Sequence, residues 1–91
     1  MKINTDQLRA LLGSEEAAQR FVRMFEESLP QQLRQLHESL ASGDWETAGN
    51  TAHGLKSQCR YLGLNDWADT LQQIENEPQK ALDAGWPALL V

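Results

Sequence analysis

The chain has 91 residues, enough for one domain with a single core and too few for two. Apolar residues make up 41% of it, charged residues 23%, and prolines number three, a composition that folds rather than stays disordered. Eight lysines and arginines against thirteen acidic residues leave a net charge of -5, which excludes a basic footprint for nucleic acid, and the lone Cys59 excludes an intrachain disulfide.

The N-terminal residues Met1 to Asn4 lack the apolar stretch of a signal peptide, and no segment approaches the roughly 20 apolar residues that span a bilayer. The expectation is a cytoplasmic module with no direct membrane insertion, standing alone or as the cytoplasmic part of a membrane-anchored sensor. Apolar residues recur at steps of three and four throughout, and strand-like alternation is missing, so the fold class predicted is all-α.

The first helix is predicted from Thr5, as N-cap, to Leu12, with Leu8, Leu11 and Leu12 on one face and Gly13 ending it. Ser14 caps a long second helix, whose buried stripe is Ala18, Val22, Phe25, Leu29, Leu33, Leu36 and Leu40. Pro30 lies inside that stripe and removes a backbone hydrogen bond, which predicts a kink or a split near Ser28 and Leu29; the continuing apolar phase favours the kink. Ser42-Gly43-Asp44 ends this helix and caps the next, a connection tight enough to predict antiparallel packing.

The third helix carries Trp45, Ala48, Ala52, Leu55, Cys59 and Leu62 as one core stripe and closes at Gly63. Asn65 or Asp66 caps a fourth, with Leu64, Trp67, Leu71 and Ile74 inward, and Pro78 marks its end. In the tail, Ala81, Leu82 and Trp86 fit a short helical turn that Gly85 and Pro87 interrupt. The whole reads as a single domain over 1–91: a short N-terminal helix in 1–13, three main helices in 14–77 and a short C-terminal segment in 78–91.

Projected at 100° per residue, His53 falls roughly 130° from the centre of its helix's core stripe, on the solvent side. Gly49, Lys56, Ser57 and Arg60 share that side, at i−4, i+3, i+4 and i+7. A glycine inside a helix costs about 1 kcal/mol relative to alanine, and here two, Gly49 and Gly54, flank the histidine, as expected where another molecule approaches closely. The bland alternative is a solvated histidine with glycines placed for packing. His37, at the border of a core stripe, reads as a solvated border residue. His37, His53 and Cys59 have no zinc-motif spacing, and no phosphate-binding glycine loop or nucleotide fingerprint is present, so neither a metal site nor autonomous kinase activity is expected.

The run Ala52-His53-Gly54-Leu55-Lys56-Ser57, followed by Leu62-Gly63, resembles the phosphoacceptor motif of histidine-containing phosphotransfer (HPt) domains, which places lysine three and glycine ten residues after the histidine. The likeness extends back through Phe25 to Leu29, Pro30, Leu33, Leu36, Leu40 and Gly43-Asp44-Trp45, and covers roughly residues 8 to 77. Ser57 stands where the family most often has glycine. The family's last helix runs several turns further than this chain does, so the resemblance implies an antiparallel, up-down four-helix bundle whose last helix is short or truncated.

The resemblance further implies a phosphorelay intermediate. His53 takes a phosphoryl group from a receiver-domain aspartate through Nε2 and passes it to another receiver, with Lys56 neutralising phosphoryl charge and Ser57, and Asn50 or Arg60, assisting by hydrogen bonding. Imidazole, with an ordinary pKa near 6.5, has a free lone pair at neutral pH. No cofactor is expected on this chain, because the Mg2+ belongs in the receiver's acidic site. Counting outward from Gly43 and Gly63 puts Gln31, Gln32 and Gln35 on one side, and Gln72 and Glu75 on the other, level with His53 as docking rims. The expected partners are response-regulator receivers and, in cis, a hybrid sensor kinase. A homodimer is expected as well, since the short tail leaves part of the groove uncovered. The competing reading is a non-catalytic helical adaptor or dimerisation module of the same fold.

Overall fold

Three glycines with positive φ, Gly13 (79°), Gly43 (77°) and Gly63 (72°), punctuate the chain, each where a helix has just ended and the backbone must enter the left-handed region that side chains with a Cβ avoid. The structure, a computed structural model, describes residues 3–83. All of its elements are helices: α1 (Asp6–Leu12), α2 (Glu15–Ser42), α3 (Trp45–Tyr61), α4 (Asn65–Asn76) and α5 (Pro78–Asp83).

The helix starts show which local chemistry sets them. Ser14 Oγ accepts from the Ala17 backbone N–H, and Asp44 Oδ1 accepts from that of Thr47, so both expected caps form. At α1 the expected cap is corrected: Thr5 holds the N-cap position without a side-chain bond, and Asn4 Oδ1 takes the Asp6 N–H at 2.9 Å instead. At α4 neither Asn65 nor Asp66 caps; buried Leu64 occupies that position. Here the packing of Leu64 against the core, rather than a polar cap, sets the entry of the helix.

Helix α2 runs through Pro30 unbroken, so the split does not occur. The proline is exposed, and the apolar stripe passes beneath it. Leu36, Leu40, Leu55, Leu62, Leu71 and Ile74 are fully buried with Phe25, each contributing about 1.5–3 kcal/mol of apolar burial. Val22, Leu29, Leu33 and Trp67 pack against them partly buried. Ser39, absent from the expected stripe, is also buried; its hydroxyl donates to the Leu36 carbonyl at 3.0 Å, which satisfies it inside the core.

Trp45 departs from expectation, being 37% exposed. As the first residue of α3 it lies where the stripe runs past the end of the core, in a shallow groove with Pro78 and Lys80. Pro78 does not merely end α4 but opens α5, where its fixed φ and missing N–H are well suited. Buried Ala81 seats α5 among α2, α3 and α4, so part of the groove expected to lie open is filled. Trp86, Pro87 and the rest of the tail stripe lie outside the described residues.

Candidate functional site around His53

Helix α3 rests on α4 along one flank and on α2 along the other, leaving its outer face to solvent. His53 is on that face, with its side chain 64% exposed. Its imidazole is nonetheless fixed: Nδ1 lies 2.5 Å from Glu75 Oε1 on α4. Lys56, one turn further along, reaches the same carboxylate, with Nζ 2.8 Å from Oε2 and 2.9 Å from Gln72 Oε1.

These contacts define the protonation pattern. The Lys56 ammonium first, and then the His53 ring, hold the Glu75 carboxyl below its ordinary 4.5, against the opposing effect of its burial. An ionised carboxylate accepts only, so in the neutral ring Nδ1 carries the proton and donates. Nε2, across the ring from Nδ1, is then the atom with the free lone pair, and it is directed away from α4.

The structure places the other expected site residues unevenly. Ser57 is half-buried beside His53, its hydroxyl donating to the His53 carbonyl at 3.2 Å. Asn50 and Gly54 are exposed on the same face. Among the described residues, a Cβ built on Gly54 meets nothing within 4 Å beyond its own stretch of helix, whereas one on Gly49 would sit 3.9 Å from the Glu75 backbone oxygen. Gly49 therefore faces α4, and Gly54 faces open solvent. Arg60 is exposed and pairs loosely with Asp69 at 3.7 Å, an arrangement of little energetic weight. Lys56, expected among the groups facing a phosphoryl, is turned instead toward α4 and is only 13% exposed.

The expected rims also change. Gln72 and Glu75 are level with the site as counted, but they are tied to Lys56 and His53 rather than left free for a partner. On α2, Gln31 and Gln35 are exposed, whereas Gln32 exchanges amide hydrogen bonds of 3.2 and 3.3 Å with Gln58 and so lies beyond His53 rather than level with it. Helical side chains lean toward the N-terminus of their own helix, so Gln32 reaches away from the Gly43 turn and Gln58 toward it. Counting residues evenly from the glycine ignores that lean.

Past Gln58, exposed Tyr61 of α3 meets Phe21 of α2 edge to face with ring centroids 6.2 Å apart. Cys59, by contrast, lies inside the core, and burial pushes its thiol up to about 11, which leaves it unreactive as a nucleophile. Among the described residues no cluster of three or more His, Cys, Asp or Glu side chains could hold a metal ion. No helix among them is long and apolar enough to cross a membrane.

An exposed helical histidine with one ring nitrogen anchored and the other directed outward is suited to carrying a transferable group. The sequence agrees with that class: the family model described as Hpt domain matches residues 20–90. The chain belongs to the Hpt domain family, whose members are phosphocarrier modules of phosphorelays and interact with the receiver domains of response regulators. Comparison with curated proteins and with solved structures gave no significant match.

Proposed function

We propose that this chain is a phosphorelay intermediate in which His53 Nε2 accepts a phosphoryl group from a receiver-domain aspartate and passes it to a second receiver. The observation that carries this reading is the pairing of an exposed imidazole with an Nδ1 held 2.5 Å from Glu75, which leaves Nε2 as the nucleophile. The domain is read as one antiparallel, up-down bundle spanning the chain, supported by the Gln32–Gln58 contact across α2 and α3 and the His53–Glu75 contact across α3 and α4.

The receiver docks over the outer face of α3, where Gly54 and Ser57 leave room, with Gln31 and Gln35 on the free α2 rim. Asn50 and Arg60 stand at the edge of that face for hydrogen bonds to the phosphoryl group or to the partner. Phosphoryl transfer is carried by positioning and charge stabilisation, and the Mg2+ that assists it is supplied by the receiver; this chain takes no cofactor and acts in the cytoplasm. Incubation with phosphorylated receivers tests the proposal. Label on the chain that is acid-labile and base-stable is expected, while its absence with every receiver favours the adaptor or dimerisation module.

A further inference from the structure

Resting on that reading, the side chains around Nε2 decide which of them meets the transferred group. Three of the four polar neighbours are already engaged. Lys56 Nζ lies 2.9 Å from Gln72 Oε1 and 2.8 Å from Glu75 Oε2, and Arg60 pairs with Asp69, so both cations are drawn toward α4, the side from which Nε2 is directed away. The Ser57 hydroxyl donates to the His53 carbonyl at 3.2 Å. Asn50 is exposed, and its carboxamide has no hydrogen-bond partner among the described residues.

The position of Asn50 on the helix fits the same role. A helical side chain leans over the turn N-terminal to its own Cα, where the residues at i−3 and i−4 stand. For His53 these are Asn50 and Gly49, and only Asn50 has a side chain to offer. The residue that holds Nδ1 comes from that level as well, because a Cβ on Gly49 would lie 3.9 Å from the Glu75 backbone oxygen. Asn50 and His53 are three residues apart, about 4.5 Å of helical rise, within the span of an amide and a phosphoryl oxygen on Nε2. The charged residues further toward the start of the helix are Asp44 and Glu46, and an ionised carboxylate has no donor for a phosphoryl group.

We infer that Asn50 is a catalytic residue, whose Nδ2–H donates to an oxygen of the phosphoryl group as it arrives on and leaves His53 Nε2, and that this chain meets the group with a neutral amide rather than a cation of its own. In loading, the Nε2 lone pair forms the N–P bond while the P–O bond to the receiver's aspartate breaks and its electron pair leaves with the carboxylate. In unloading, the N–P bond breaks, its electron pair returns to Nε2, and the next aspartate takes the phosphorus. Asn50 gives up no proton in either direction. A neutral donor holds the group less tightly than an ammonium or guanidinium would, which suits a carrier that must release it.

The test measures single-turnover loading of the full chain by phosphoramidate, a donor that brings no side chains of its own, and in parallel by phosphorylated receivers, on wild type, Asn50→Ala, Asn50→Asp and Asn50→Lys. With phosphoramidate, loading is expected to fall about tenfold in Asn50→Ala, the scale of one hydrogen bond to a charged group, and further in Asn50→Asp through like-charge repulsion. Loaded Asn50→Lys is expected to pass its group to a receiver more slowly than wild type. In 1H–15N spectra of the wild type, loading is expected to shift the Asn50 carboxamide more than the Arg60 Nε–H, a readout that needs no variant to fold. Wild-type loading of Asn50→Ala would overturn the inference, as would a larger loss in Arg60→Gln than in Asn50→Ala with phosphoramidate, or an Asn50 carboxamide that loading does not shift. A wild type labelled by neither donor overturns the phosphocarrier reading itself, an outcome distinct from a labelled chain in which Asn50 has no part.

Discussion

Gly54 follows His53 directly on the outer face of α3, and among the described residues a Cβ added there meets nothing within 4 Å beyond its own stretch of helix. Nothing among the described residues accounts for a glycine at that position, and its φ is helical rather than left-handed. Gly54→Ala is therefore expected to stabilise the protein by about 0.5–1 kcal/mol through helix propensity, and at the same time to slow transfer with a receiver. Denaturant unfolding and single-turnover transfer measured on the same variant check both halves. A faster or unchanged transfer rate would remove close approach as the reason for the glycine.

Gly63 provides the opposite case. It has φ +72°, and a Cβ there would lie 2.9 Å from the Asn4 Cβ, in the turn where the Asn4 N–H donates to the Leu62 carbonyl at 2.7 Å. Gly63→Ala is expected to lower stability by about 1 kcal/mol or more, from the left-handed backbone and the displaced Asn4 together. A thermal melt comparing the two glycine variants should show shifts of opposite sign.

His53→Gln is expected to abolish phosphoryl acceptance while shifting stability by less than about 0.5 kcal/mol, as an exposed helical site normally does. Helix content by circular dichroism, measured beside the labelling assay, separates loss of the nucleophile from loss of the fold. Labelling that persists in this variant would place the acceptor elsewhere.

Ser57→Leu tests the face from another direction. Ser57 lies at i+4 from His53, one turn away on the same surface, and its hydroxyl only back-bonds to the His53 carbonyl at 3.2 Å. The leucine is expected to leave the domain folded and to reduce transfer from a receiver far more than loading by phosphoramidate, a donor small enough to pass it. Equal losses with both donors would mean that the leucine disturbs His53 itself.

Glu75 links the site to acid stability. Its carboxyl is held below its ordinary 4.5, mainly by the Lys56 hydrogen bond. A group depressed in the folded state contributes stability that is complete above the unfolded pKa and is lost as the pH falls through the folded value. Wild type is expected to exceed Glu75→Gln by about 0.5–1 kcal/mol near neutral pH, a modest figure for a pair that solvent partly reaches. The difference should shrink below the ordinary carboxylate value and disappear at lower pH. Urea unfolding of both proteins over an acid series measures it, and a difference that grows on acidification would contradict the ion pair.

The main helices and their ends at glycine are legible in the sequence, because their causes are local. The apolar period set α2, α3 and α4, the glycines at 13, 43 and 63 ended three helices, and the angular position of His53 against Ala48, Ala52, Leu55 and Cys59 made it an exposed residue. Tertiary structure decided what His53 touches. Whether Glu75 is a free rim or the partner of Nδ1 depends on the rotation and axial offset of α4 against α3, which packing of Leu64, Leu71 and Ile74 fixes and which no local pattern encodes. The same holds for Lys56, whose place at i+3 puts it near His53 on the helix but whose long side chain follows charge across the interface to Glu75 and Gln72. It holds as well for Trp45, apolar and in phase with the stripe, yet exposed because the core ends before the helix does. Backbone periodicity is written in neighbouring residues, but the meeting of two side chains from different helices is a property of how the helices pack.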